Sequence, residues 1–247
     1  MSQTIQRAAT VLELVSIRPR TQSEVAEVLG VHRSTALRIL GTLGESGLVR
    51  RRPDGTYGVG YRLTWFASLA SEQFELRDLA RPRIAELGAE CGHTVHLAVL
   101  EDDRIVYADK IDQPGTVRMY SQIGQPVRLH TSGVAKAILA HVDAEVLERM
   151  LDGYAFERFT STTLTSRGDF DDDLAAVRQR GWASDDGEFE DFINCVAMPV
   201  RGPDSKVIAA VSITALRAQA ELDELEGLLP RLAQVCEGIS KSIGWRP

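Results

Sequence analysis

The stretch TQSEVAEVLGVHRSTALRIL, residues 21–40, constrains this chain more than any other. Two short segments with helical apolar spacing flank Leu-Gly-Val, so two helices must meet at a tight turn. Thr21-Gln-Ser-Glu24 is a capping box, in which the Thr21 hydroxyl accepts from a first-turn amide while Glu24 reaches back to the Thr21 amide. Gly30 can take the left-handed conformation that ends the first helix. A second helix is expected from Arg33 to Glu45, closed by Gly47. Val25, Leu29, Val31, Ala36 and Ile39 fall where the pair must bury, with the small Ala26 at the crossing. Arg33, Ser34, Thr35 and Arg38 then face outward, as a major-groove reader requires. Together with Gln22 they form the candidate DNA-reading set. The plainer alternative is a structural helical hairpin with a solvated polar face.

The flanking residues bear on that choice. IQRAATVLELVSI places Ile5, Ala8, Ala9, Leu12 and Val15 at the spacing of one helix face, and Pro19 ends it. LVRRRPDGTYGVGYRL reads as a short β-hairpin turning at Pro-Asp-Gly. Helix, helix, turn, helix, hairpin is the order of a winged helix-turn-helix. Arg50, Arg51 and Arg52 beside the hairpin suit phosphate or minor-groove contact. Through residue 66 there are nine arginines against five acids, whereas the remainder carries 19 basic and 30 acidic residues, for a net charge of −7. A basic quarter on an acidic body fits a polyanion-binding module joined to a domain that does not touch the polyanion.

Beyond residue 63 the chain is helix-like to about Cys91, and Pro82 is expected in the first turn of a new helix. Strands and helices then alternate. HTVHLAVLEDDRIVYADKI gives two strands around an acidic turn, and GTVRMYSQIGQPVRLHTSG a further strand and a loop. Helices are expected at GVAKAILAHV, near Ala144–Leu151 and at FDDDLAAVRQRG. WASDDGEFED, INCVAMPVRG and KVIAAVSITAL give strands, with GPDS as a hairpin turn, and a last helix runs from Glu221 to Ile243. This is an α+β pattern in two domains.

Several function classes fall away. No apolar run reaches the ~20 residues of a membrane span, and MSQTIQRAAT lacks the apolar core of a secretory leader. Three cysteines, at 91, 195 and 236, fit a reducing cytoplasm better than a disulfide framework. Gly-x-Ser-x-Gly, GxxxxGK and HExxH are absent. Cys195 with His96 or His130 could pair as nucleophile and base only if the fold joins them. Cys91, His93 and His96 are spaced like metal ligands, but strand alternation sends the two histidines to opposite faces. No metal or cofactor is expected.

RAATVLELVSI, STALRILGTLGESGLVRR and TYGVGYRL, followed by TVHLAV, VRMYSQIGQPVRLHTSGVAKAILA, RGWASDDGEFEDFINCVAMPV and IAAVSIT, resemble the IclR family of bacterial transcriptional regulators over nearly the whole chain. The resemblance implies a winged helix-turn-helix over residues 1–66, a linker helix over 67–90 and a GAF-like effector-binding domain over 91–247. It implies a cytoplasmic homodimer, in some members a dimer of dimers, whose partners are a double-stranded DNA operator and a small-molecule effector. In this family the pocket lies near a helix opened by a Ser-Gly-Ala-Gly-type motif, which here reads Thr131-Ser132-Gly133-Val134-Ala135. Carried across by motif position, it comprises Met119, Gly133, Val134, Asp185, Ile193 and Cys195. Backbone amides at a helix N-terminus suit a carboxylate.

This sequence departs from the family at Val134, Ala135 and Asp191-Phe192; an inward Phe192 would shrink the pocket or favour a flat ligand. Plainer roles stay open: Met119 and Ile193 as core, Cys195 as a small buried hydrophobe, and Asp185-Asp186 as a solvated strand end. Three readings follow. A ligand-controlled repressor or activator changes its DNA affinity with ligand. A regulator whose second domain serves assembly alone does not. An enzyme fused to a DNA-binding module shows turnover that depends on Cys195.

Overall fold

The computed structural model describes residues 3–73, 76–113 and 121–246. The chain divides into two compact units, residues 1–75 and 76–247.

The first unit is three helices and a two-stranded wing. α1 (Gln3–Ile17) ends before Pro19, as expected, but buries a different stripe. Val11 and Val15 are its buried residues, flanked by Ala8 and Leu12, while Ile5 is 72% exposed. The face 8-11-12-15 is a true i, i+3, i+4, i+7 stripe, and Ile5 lies one turn beyond the partners it would need. The capping box forms at α2 (Gln22–Leu29): Glu24 accepts from the Thr21 amide at 2.7 Å, and the Glu24 amide donates to the Thr21 hydroxyl at 3.3 Å. Gly30, at φ 61°, turns the chain into α3 (Arg33–Glu45). Val25, Ala26, Ala36, Ile39 and Leu40 form the core between them. β1 (Val49–Arg51) and β2 (Tyr57–Val59) pair antiparallel. Their Pro-Asp-Gly tip is tied by Asp54, which accepts from the Thr56 amide and hydroxyl at 2.9 and 2.6 Å. Arg20 exchanges both backbone hydrogen bonds with Tyr57 and anchors the wing to the end of α1. α4 (Tyr61–Gln73) follows.

The second unit is a five-stranded antiparallel sheet in the order β4-β3-β7-β6-β5, with helices on both faces. The strands are β3 (Thr94–Glu101), β4 (Arg104–Ile111), β5 (Ala183–Asp186), β6 (Ile193–Arg201) and β7 (Val207–Leu216). Period-two alternation sorts their residues. Val95, Leu97, Val196, Val211 and Ile213 face α5 (Leu76–Cys91) and α10 (Leu229–Ser242). Ala98, Ala183, Ala197 and Ala210 face α6 (Gly133–Leu139) and α8 (Arg167–Arg180). Small residues on the second face let α6 lie close to the sheet.

Three expectations are corrected here. Residues 67–90 are not one linker helix: α5 belongs to the second unit, with Ala80, Ile84 and Leu87 fully buried in its core. Pro82 therefore sits inside α5 rather than in its first turn. It forfeits one backbone hydrogen bond, but the buried stripe on either side carries the helix through. The last helix is broken into α9 (Leu222–Glu226) and α10, because Pro230 favours the first turn of a new helix. The strand expected in GTVRMYSQIGQPVRLHTSG falls largely on 114–120, outside the described residues. The segment after it pairs with β4 by a single bridge, Val106 to Pro126. α7 (Ala144–Leu151) and the Gly-Pro-Asp-Ser turn lie where the sequence puts them.

Candidate functional site

Two candidate surfaces emerge, one in each unit. In the first, α3 presents Arg33, Ser34 and Arg38 to solvent, with Thr35 half-buried. Gln22 does not face out freely, because its side-chain amide donates to the Arg33 carbonyl at 3.0 Å and fixes the start of α3. His32 caps α3, its Nδ1 lying 2.9 Å from the Ser34 hydroxyl. Leu37, which the sequence reading passed over, is 47% exposed between Ser34 and Arg38. Arg50, Arg51 and Arg52 are all exposed on the wing, and Arg50 stacks 5.3 Å from the Tyr61 ring. An arginine-bearing helix beside a basic wing can offer both base-edge and phosphate contacts.

In the second unit the sheet's α6 face carries a row of polar side chains among its alanines. Cα pairing sets His96 opposite Ser212, Thr214 opposite Cys195, and Cys195 opposite Asp185. Tyr107 joins from β4. A cavity of about 80 Å³ opens over this row, roofed by residues of the 126–134 and 189–193 segments. Of the six residues assigned to the pocket from sequence, Gly133, Val134, Asp185, Ile193 and Cys195 line it. Met119 lies outside the described residues. Phe192 turns away at 49% exposed, and Phe189 lines the cavity in its place.

Gly133 is required where α6 meets β6. A Cβ there would stand 2.9 Å from the Cys195 sulfur, closer than atoms tolerate. α6 has only seven residues. Its dipole is correspondingly short, so the side chains of the sheet carry more of the cavity's polarity than its amides do.

The electrostatics are those of a dry polar site. Burial, with Lys110 adding to it, pushes the His96 imidazole down to about 3, so it is neutral. Its Nε2 lies 2.7 Å from the Ser121 hydroxyl and its Nδ1 3.2 Å from that of Thr214. Burial pushes the Tyr107 phenol and the Cys195 thiol each up to about 12. Burial first, and Glu188 second, push the Asp185 carboxyl up to about 8, while the Glu188 amide donates to it at 2.7 Å. Asp185 is thus largely protonated at neutral pH. The Thr131 hydroxyl, in a buried residue lining the cavity, has no hydrogen-bond partner. A buried hydroxyl left unpaired costs free energy that a ligand would recover.

Asp185 gives a prediction with a definite sign. A carboxyl raised from 3.8 to about 8 leaves the folded state holding more protons than the unfolded state between those values. Stability therefore falls as pH rises through that window. Asp185→Asn should raise the melting temperature at pH 7–8, with the gain shrinking toward pH 4. A gain of equal size across the range would mean that Asp185 is not protonated in the fold.

Beneath the 187–190 segment, Lys136 is 1% exposed and pairs with Glu188 at 2.7 Å and Asp173 at 3.1 Å. Burial opposes its charge, but the two carboxylates outweigh burial and raise it above its ordinary value. His130 is not part of the cavity row; its ring nitrogens meet the Tyr154 hydroxyl and the Glu157 carbonyl. Cys195 is thus an unionised thiol whose cross-strand neighbours are Thr214 and Asp185, and His96 and His130 are engaged by other groups. Among the described residues no group of three or more His, Cys, Asp or Glu could hold a metal. No helix among them is long and apolar enough to cross a membrane.

The sequence reading missed Tyr107, Arg128, Ser212 and Thr214 as lining residues. Its available signal was the polar residue at alternate positions of otherwise apolar strands, as in VSITAL.

A winged helix-turn-helix with an exposed arginine-bearing helix, on one chain with a sheet domain enclosing a polar cavity, defines a DNA-binding transcriptional regulator with an effector-binding domain. The chain belongs to the IclR family: the family profile for the bacterial transcriptional regulator IclR C-terminal domain matches residues 69–241. A second profile, the HVO_A0261 N-terminal domain, matches residues 2–79. The chain is 30% identical over 246 residues to the HTH-type transcriptional regulator XynR of Escherichia coli strain K12, covering 98% of each. The solved IclR of Thermotoga maritima is 28% identical and covers 99% of this chain and 100% of its own, at a TM-score of 0.65. An IclR homolog from Microbacterium hydrocarbonoxydans complexed with 4-hydroxybenzoate shares the fold at 24% identity, covering 97% and 98% of the two chains, at a TM-score of 0.63.

Proposed function

We propose that the cavity of the second unit binds a small carboxylate-bearing effector whose occupancy changes the chain's affinity for its operator. The observation that carries this is the buried, unpaired Thr131 hydroxyl in a cavity walled by the His96, Tyr107, Ser212, Thr214 and Asp185 side chains. An uncharged Asp185 can donate to a carboxylate rather than repel it. The 4-hydroxybenzoate held by the Microbacterium homolog supports the same ligand class. Gly133, Val134, Ile193 and Cys195 shape the cavity, and Met119 keeps its expected place there.

On the DNA side, α3 enters the major groove with Arg33, Ser34, Thr35 and Arg38 toward bases and phosphates. Gln22 sets the angle of α3, and Arg50, Arg51 and Arg52 contact the backbone. The chain acts in the cytoplasm as a homodimer, or as a pair of dimers, without catalytic turnover. Tyr61, Trp65 and Phe66, exposed on α4, offer apolar surface for self-association. An un-ionised Cys195 supplies no thiolate for nucleophilic chemistry.

The test is thermal unfolding of the full chain against aliphatic and aromatic carboxylates. A ligand that binds only the folded state should stabilise it by about 2.7 kcal/mol at a hundredfold excess over Kd. Stabilisation that disappears in Thr131→Val supports the site. Stabilisation untouched by Thr131→Val would put the ligand elsewhere.

A further inference from the structure

Arg128 lines the cavity from the segment before α6, and its guanidinium lies 4.2 Å from the Phe189 ring centroid and 4.9 Å from that of Phe159. The two rings themselves meet edge to face at 4.9 Å. They come from segments that threonine hydroxyls sew together: Thr160 donates to the Gly187 carbonyl at 2.7 Å, Thr162 to Asp186 at 2.9 Å and Thr163 to Glu188 at 2.6 Å. Lys136, paired with Glu188, holds the same segment from below. The aromatic box is therefore built on a fixed frame. Stacking occupies the faces of a guanidinium and leaves its N–H edge for planar, two-point contact with an anion.

Electrostatics give that cation a purpose. The cavity wall includes Glu190, which opposes an entering anion. The Arg128 charge also acts on Tyr107, another wall residue. An anion admitted here needs an offsetting cation already in place, and a preorganised one loses little freedom on binding.

We propose that Arg128, clamped between Phe159 and Phe189, is the anion-reading residue of the cavity, selecting planar carboxylates over their uncharged analogues. This rests on the effector reading above and specifies which group recognises the charge.

Isothermal titration of the full chain with benzoate, 4-hydroxybenzoate and acetate, each beside its carboxamide, tests it. For carboxylates that bind, Arg128→Gln should weaken binding at least tenfold and leave the matching carboxamide unchanged. Arg128→Lys, which keeps the charge without the planar fork, should fall between the two and serves if the Gln variant does not fold. Phe189→Leu should weaken carboxylates in the same direction by removing one face of the clamp. Equal losses for carboxylate and carboxamide would reduce Arg128 to packing and overturn the proposal. Carboxylate binding unchanged in Arg128→Gln would overturn it while leaving the effector reading standing. Failure of every carboxylate to bind the unaltered chain would overturn both.

Discussion

Lys136→Ala should destabilise the effector domain by about 3–5 kcal/mol, because it removes the cation from a buried cluster and leaves its acids uncompensated. Lys136 is 1% exposed and Glu188 7%, so water cannot take over the solvation that the ammonium supplies. For a unit of this size the loss corresponds to a fall in melting temperature on the order of 10 °C. The pH dependence identifies the cause. Burial already raises the Glu188 carboxyl above its ordinary value, and only Lys136 offsets that. Without Lys136 the folded state should take up a proton at Glu188, so the deficit should shrink as pH falls toward 5 and grow as it rises. Lys136→Met combined with Glu188→Gln should recover part of the loss. A Lys136→Ala protein melting within a degree or two of the parent would show that the cluster is hydrated.

The second large effect belongs to the DNA-reading helix. Arg38→Ala should weaken binding to an operator selected from a randomised duplex pool by about 1–3 kcal/mol, roughly 5- to 150-fold, if Arg38 reads a base edge. It is exposed on α3 beside Leu37, one turn from Ser34, and Ile39 and Leu40 next to it bury that helix against α2. Removing it should therefore leave folding unchanged. Binding to random duplex should fall much less than binding to the operator. Equal losses on both would make Arg38 a phosphate contact, with specificity passing to Arg33, Ser34 or Leu37.

What the sequence could and could not disclose divides along physical lines. The capping box at Thr21, the glycine turn at Gly30 and the Pro-Asp-Gly tip are local devices, and each forms at the residues that encode it. Five pocket residues carried over from a family motif also surround one cavity. The failures are where tertiary burial decides. Ile5 has helical spacing but no partner, and Pro82 is kept inside a helix by the core around Ala80 and Ile84. Phe192 and Phe189 differ by one strand-end turn that no local signal specifies, so the reading chose the wrong ring. Arg128, Phe159 and Phe189 are brought together from three separate segments. Only the folded chain shows that they stack.

The central claim is that one ligand couples the cavity to DNA binding. The measurement that tests it is the operator affinity of the full chain, at fixed salt, with and without a carboxylate that stabilises the folded protein. The account predicts a change of roughly 5- to 150-fold, abolished by Thr131→Val, and by reciprocity an equal change in ligand affinity when operator is bound. A carboxylate that binds the cavity while the operator Kd stays constant would contradict it, because a ligand with equal affinity for both states shifts neither.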